Sequence, residues 1–231
     1  HANINKSTIL QNLETWYKNN LATYESKLAD TIWCNDKSTK TNQTIIFARL
    51  LNNKLNKRSS NYPGLGYGTN QTFYSGRLRA KAKYKYTYTS YKTYGTAGTG
   101  PTLICPLDND GGKLSKFTVK DTINGNGALD YKVGLLTVDE VLYAGNIDYY
   151  GYVTLNYSES SINSYLRENT SGSYWTISPN SFDRGTFVQN VDDGYGFVSS
   201  SWVNSPKALR PAVSLTSATT ISGGNGTSSN P

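Results

Sequence analysis

Residues 174–210 read YWTISPNSFDRGTFVQNVDDGYGFVSSSWVNSPKALR, and the spacing inside this stretch decides the fold class. Short apolar-rich runs at Tyr174–Ser178, Thr186–Val191, Tyr195–Ser200 and, just beyond, Leu209–Leu215 predict four strands. Asp193-Gly194 between the second and third predicts a hairpin turn, since Gly supplies a positive φ without steric cost. Trp175, Ile177, Val188, Val191, Val198, Val203 and Leu209 are the expected scaffold. Between them stand Ser, Asn, Asp, Gly, Tyr and Phe. Rigid aromatics with adaptable small polar residues are the mixture that antibody loops use for contact. A turn-rich β segment of any exported domain carries the same residues, so composition alone leaves both readings open.

On the contact reading, the face consists of Asn180, Ser181, Phe182, Asp183, Arg184, Thr186, Phe187, Gln189, Asp192, Tyr195, Phe197, Ser199, Ser200, Ser201 and Trp202. Phe182, Phe187, Tyr195, Phe197 and Trp202 are the candidate anchors, because aromatic side chains dominate binding where they pack in the centre of a contact. Alternation does not say which of them face the core, although Phe187 and Phe197 are the two expected to turn inward.

Upstream the period changes. Ile9, Leu10, Leu13, Trp16, Tyr17 and Leu21 recur at helical spacing, and Tyr24, Leu28 and Ile32 continue the stripe, so Ser7 to Asp30 reads as helix with Ser7 as N-cap. Asn19-Asn20 predicts a break into two helices packed on a sheet. Thr44–Leu55 is a further short helix candidate. RAKAKYKYTYTSYKTY (79–94) alternates near period two and predicts a strand or hairpin, its lysines suited to protecting a sheet edge. Thr137–Gly145 predicts a short helix with a Thr137/Glu140 capping box and Gly145 as its stop. Ser161–Arg167 reads as a single helical turn, and the tail from about residue 221 as loop.

The chain has 231 residues, 36% hydrophobic and 17% charged, with 21 Gly and 19 Tyr. That suits one β-rich extracellular domain better than a helical cytosolic enzyme. No run of 18 apolar residues is present, so no helical span is expected. The chain starts at His1 and holds no Met, which reads as a mature or truncated product separated from its signal or anchor segment. The net charge of +7 is unevenly placed. Lys37 to Leu107 holds twelve Lys and Arg and no acid, while the remainder carries eleven basic against sixteen acidic residues, a balance of −5. Such a segment can contact an anionic surface, or be only a solvated face. Interleaved aromatics and lysines can also hold single-stranded nucleic acid, but a protected edge explains them as well, and no dedicated nucleic-acid site is expected.

Cys34 and Cys105 match no metal spacing and are expected to form one disulfide. Asp108-Asn109-Asp110-Gly111-Gly112 has only the first two calcium-loop ligands, with Gly two positions early and Val119 where the bidentate Glu belongs, so it reads as a turn. No metal or cofactor is expected. Catalytic raw material is thin: His1 is the single histidine, and the carboxylate pairs Asp139-Glu140 and Asp192-Asp193 are better explained as a helix start and a turn. The expectation is therefore a protein that is not an enzyme.

LETWYKNNLATYESKLADTIWCND (13–36), ICPLDNDGGKLSKFTV (104–119), YKVGLLTVDEVLYAG (131–145), YWTISP (174–179), ALRPAVSLTS (208–217) and SGGNGTSSNP (222–231) together resemble exported, prepilin-anchored proteins of gut Firmicutes. Their C-terminal half is similar to the C-type-lectin-fold variable proteins of diversity-generating retroelements. The resemblance implies an α+β, C-type-lectin-like domain related to the formylglycine-generating-enzyme fold, with N-terminal helices and a C-terminal antiparallel sheet closed by a Gly-Val-Arg-Pro-like strand. Here that motif is Ala208-Leu209-Arg210-Pro211, which departs at its first two residues. The implied organisation is one domain over 1–231: N-terminal helices in 1–36, a basic loop-rich insertion in 37–107, a central part in 108–173, the sheet with its variable region in 174–217 and a tail in 218–231. The implied function is a surface-displayed, receptor- or adhesin-like module that binds a protein or glycan through diversified residues at 180–202, attached to the cell through a segment outside this chain. The reactive-cysteine chemistry of the enzymes sharing the fold is not carried over to Cys34 and Cys105. A structural pilin or surface-layer subunit and a phage-derived receptor-binding protein are the alternatives. A reverse transcriptase encoded beside the gene favours the variable protein, and filaments formed by purified protein favour the structural subunit.

Overall fold

Ser7 sits in extended backbone and its side chain accepts a hydrogen bond from Leu10 N at 3.2 Å, which caps α1, Thr8–Asn20. The computed structural model describes residues 6–34, 72–73, 86–88, 91–94, 101–105, 116–117, 119, 129–146, 164, 166, 172–182, 186–193, 196–220 and 222–224. After α1 the elements in chain order are a 3-10 turn at Ala22–Lys27, β1 Trp33–Cys34, β2 Thr72–Phe73, β3 Tyr86–Tyr88, β4 Tyr91–Tyr94, β5 Lys116–Phe117, α2 Val138–Tyr143, β6 Tyr174–Phe182, β7 Thr186–Val191 and β8 Val198–Trp202. The class is α+β. Three antiparallel pairings build one sheet in the order β2-β6-β7-β8, while β1 pairs with β5 and β3 with β4.

α1 ends after Asn20, where the sequence predicts a break, but the next element is a 3-10 turn and not a second α-helix. Three residues per turn in place of 3.6 takes the apolar stripe out of phase. Leu13, Tyr17 and Leu28 are buried, whereas Trp16, Tyr24 and Ile32 stay exposed. The Lys132 ammonium closes the turn from outside, donating to Leu28 O at 2.8 Å and lying 3.0 Å from a Glu25 carboxylate oxygen.

α2 matches its sequence signature. Thr137 accepts from Glu140 N, the Glu140 carboxylate accepts from Thr137 N, and Gly145 takes φ 100° to end the helix. Six residues cannot hold a helix by propensity. Val138 and Val141, both fully buried against Tyr174, Val191 and Val198, fix it to the sheet, and Ser178 Oγ accepts its first free amide, Val138 N, at 2.9 Å.

The sheet has two covered faces. On one, Trp175, Ile177 and Val188 pack with Leu13, Tyr17, Leu28, Val133, Leu135, Leu209 and Val213. On the other, Tyr174, Val191 and Val198 pack with α2. β7 lies where the sequence puts it. β6 runs on from Ser178 to Phe182 with irregular register on both sides of Pro179, which has no amide to donate. β8 starts three residues later than predicted, because Asp192 N bonds Phe197 O and Gly196 N bonds Asp192 O, making residues 192–197 a six-residue loop and not a two-residue turn.

Leu209–Leu215 is not a strand of the sheet. Pro206 and Pro211 lack amides and break any continuous ladder, and the segment instead makes single bridges at Ala208 to Tyr174, Ala212 to Gly134 and Leu215 to Leu28. It still closes the molecule: Trp175 N, Gly134 N and Ala29 N donate to Ala208 O, Ala212 O and Ser214 O. Gly134 is required where the backbone meets an indole, since a Cβ there would lie 2.5 Å from Trp33 Cδ2.

Cys34 and Cys105 are disulfide-bonded across 71 positions. Within 79–94, where a strand or hairpin is expected, β3 and β4 pair antiparallel, and residues 79–85 and 89–90 lie outside the described residues. The helix expected at Thr44–Leu55, the Asp108–Gly112 turn and most of Ser161–Arg167 lie outside the described residues. Among the described residues no helix is long and apolar enough to cross a membrane.

Candidate ligand-recognition surface

β7 and β8 pair Phe187 with Trp202, Val188 with Ser201, Gln189 with Ser200, Asn190 with Ser199 and Val191 with Val198. Residues directly opposite share a face. Val198, Ser200 and Trp202 therefore line the α2 side of the sheet, and Ser199 and Ser201 the α1 side. Among the described residues, α2 packs at the Val198 end of its face, against Tyr174, Val191 and Val198. At the far end the Phe187 and Trp202 rings stand 4.2 Å apart at 41°, and Trp202 remains 43% exposed. A tilted aromatic pair of this kind restrains the Trp202 ring against Phe187.

Three members of the sequence-derived contact set are removed from it by burial. Asn180 and Gln189 are 2% and 0% exposed, and Gln189 Nε2 donates to Asn180 Oδ1 at 2.7 Å. Phe197 is 2% exposed in the β7–β8 loop, turned inward as expected of it. Phe187 is half-buried under Trp202 and not fully inward. Ser199, Ser200, Ser201 and Asp192 are half-buried at the surface. Ser181, Phe182 and Thr186 occupy the terminal rungs of β6 and β7, Phe182 opposite Thr186 and Ser181 opposite Phe187. Asp183, Arg184 and Tyr195 lie outside the described residues. Val203, expected as scaffold, is 49% exposed in the turn after β8.

Sequence reasoning missed the buried polar row beneath this surface. Thr176, Ser178 and Asn180 alternate along β6 on the α2 side, and Thr176 Oγ1 donates to Gln189 O at 2.8 Å while accepting from Ser178 N at 3.2 Å. The signal was their period of two, in phase with Tyr174. Gln189 Oε1 and Asn190 Oδ1 are buried with no hydrogen-bond partner among the described residues. At the α2 end, burial raises the Tyr174 phenol above its ordinary range, partly opposed by Arg210, which lies over its ring at 5.3 Å and donates to Leu166 O at 2.9 Å.

No protein-family model matches this chain, and no curated protein or solved structure does. Function has to be argued from the surface itself. Among the described residues no three His, Cys, Asp or Glu side chains converge as a metal site. The far end of the sheet offers a rigid, half-open aromatic pair with the Ser200 hydroxyl on the same face, an arrangement that can hold a partner by stacking and a hydrogen bond.

Proposed function

We propose that this chain is a surface-displayed recognition module, of the C-type-lectin-like variable type that its sequence resembles, binding a protein or glycan target through the Phe187–Trp202 end of the sheet. The observation that carries the reading is the split of roles within 174–202. Trp175, Val191, Phe197 and Val198 are buried, while Trp202 keeps 43% of its surface open on the same strand that starts with fully buried Val198. An indole held on a rigid frame offers a partner a preformed stacking surface, and Trp is among the residues most enriched at binding hot spots. The disulfide is consistent with display outside the cell, where such bonds persist. Substitution at Ser200 and Trp202, which share this face, is expected to leave the packed residues of the frame in place, as a diversified surface requires.

The test is a panel of immobilised glycans and proteins probed with the purified chain and with Trp202→Ala. Binding to at least one target, lost in Trp202→Ala with the melting temperature kept within a few degrees, is the expected result. Retention of every interaction by that variant would overturn the reading.

A further inference from the structure

Asp192 N donates to Phe197 O at 2.8 Å where β7 runs into the loop before β8. In an antiparallel ladder hydrogen-bonded and non-hydrogen-bonded pairs alternate, so Asn190–Ser199 and Val188–Ser201 exchange backbone bonds, while Gln189–Ser200 and Phe187–Trp202 are the pairs whose side chains stand closest. These two pairs are neighbours on the α2 side of the sheet. One of them holds a restrained indole that is 43% exposed. The other sets the Ser200 hydroxyl opposite an amide that is only half satisfied. Gln189 is fully buried, its Nε2 donates to Asn180 Oδ1 at 2.7 Å, and Oε1, on the other arm of the amide, has no donor among the described residues. A buried acceptor left in this way is costly, and it calls for a donor that its own frame does not supply.

We propose that the ligand of this face is a neutral polysaccharide, one pyranose ring stacking on Trp202 and one of its hydroxyls donating to Ser200. The inference rests on the recognition reading and adds the chemistry of the target. A pyranose presents a face of polarised C–H groups, and the negative face of an indole attracts it. Ser200 supplies the second contact and sets its sense, because a hydroxyl has one hydrogen to give and lone pairs to receive. Gln189 Oε1 is shut off from solvent, so no ligand atom touches it. Turning the Ser200 hydroxyl toward it satisfies the amide across the pair and leaves the Ser200 oxygen with only lone pairs facing outward. That oxygen takes a donor, and a sugar hydroxyl is one. Carboxylates, sulfates and phosphates are acceptors and meet the same lone pairs unfavourably. A relay from sugar to Ser200 to Gln189 also strengthens each bond in it. Size favours a sugar over a protein surface. A stable protein interface covers about 800 Å² on each partner, whereas the described part of this face has one open ring with one hydroxyl beside it, enough for a single pyranose. Repetition of the unit along a polymer provides the avidity that one such contact lacks.

The experiment measures binding of the whole chain to dextran, mannan and galactan, and to dextran sulfate and polygalacturonate as charged counterparts, at low and high salt. At least one neutral polymer should bind, more tightly than either charged one, with an affinity that does not fall as salt rises. Trp202→Ala should weaken that binding about fivefold or more, and Trp202→Phe should recover most of it. Ser200→Ala should weaken it about threefold, while Ser200→Thr, which keeps the hydroxyl, should retain most of it. Should Trp202→Ala fail to fold, the two Ser200 variants decide alone. Tighter binding of a charged polymer, binding untouched by Trp202→Ala, or equal losses in Ser200→Ala and Ser200→Thr would each overturn the proposal. If no polysaccharide binds but a protein target is lost on Trp202→Ala, the neutral-glycan inference falls and the recognition reading stands. If neither kind of binding is found, both fall.

Discussion

Gln189 Nε2 donates to Asn180 Oδ1 at 2.7 Å across β6 and β7, and both side chains are shut away from solvent. Two amides that composition assigns to a contact face are thus internal struts of the sheet. Asn180→Ala would leave the Gln189 amide buried without its acceptor, and the expected loss is about 1 to 3 kcal/mol, the penalty for a buried polar group stripped of its partner. Ser201→Ala, at a half-buried surface position, should stay within about 0.5 kcal/mol. Urea denaturation of the two variants beside the parent chain checks the contrast, and equal midpoints for both would refute it.

Cys34 and Cys105 close a loop across 71 positions. In the chain-entropy treatment a loop of that length is worth about 4 kcal/mol through the unfolded state. The paired variant Cys34→Ser/Cys105→Ser should therefore unfold at a much lower denaturant concentration than the oxidised parent. Adding reductant to the parent should reproduce most of the shift, and a reductant-insensitive midpoint would argue against it.

Gly134 lies under the Trp33 indole, where a Cβ would come within 2.5 Å of ring carbon. Neither side can yield easily, since Trp33 is buried in β1 and the Gly134 backbone is bonded in both directions to Ala212. Gly134→Ala should cost about 1 to 3 kcal/mol by overpacking. Because two contacting sites couple, Gly134→Ala on a Trp33→Leu background should cost distinctly less than on the parent. A double-mutant cycle in urea measures the difference, and strict additivity would rule out the steric account.

Local signals were the legible part of this sequence. Ser7 as N-cap, the Thr137/Glu140 box, Gly145 as a stop and the bounds of β7 rest on chemistry within a few residues, and the structure has them all. The misreadings arose where distant partners decide. Composition assigns Asn180 to the contact face, yet Gln189 of β7 supplies the partner that lets it be internal. Leu209–Leu215 is apolar enough for a strand, but its amides and carbonyls go one at a time to β6, to Gly134 and to Ala29. The surface position of Trp202 and of Ser200 beside it agrees with their place in the strand alternation. The aromatic partner of Trp202 was read as inward because alternation cannot show that a neighbouring strand puts an exposed indole over Phe187.

Tyr174 gives the chain a dependence on alkaline pH that one substitution isolates. Its phenol is buried, donates to Leu166 O at 3.2 Å and ionises above its ordinary value of 10.0, with burial the leading cause and Arg210 opposing it. Between the unfolded and folded pKa the native state holds a proton that the unfolded chain has released, so stability falls as pH rises. The contribution is fully present below about pH 10 and is lost through the folded value. Tyr174→Phe removes that ionisation along with one hydrogen bond. At pH 7 the variant should be less stable than the parent by about 1 kcal/mol, and the deficit should shrink or reverse as pH climbs past 10, a trend to which the other tyrosines contribute equally in both proteins. Urea titrations at a series of pH values give the difference directly. A deficit that stays constant from pH 7 to about pH 11 would show that the Tyr174 phenol ionises alike in folded and unfolded chains.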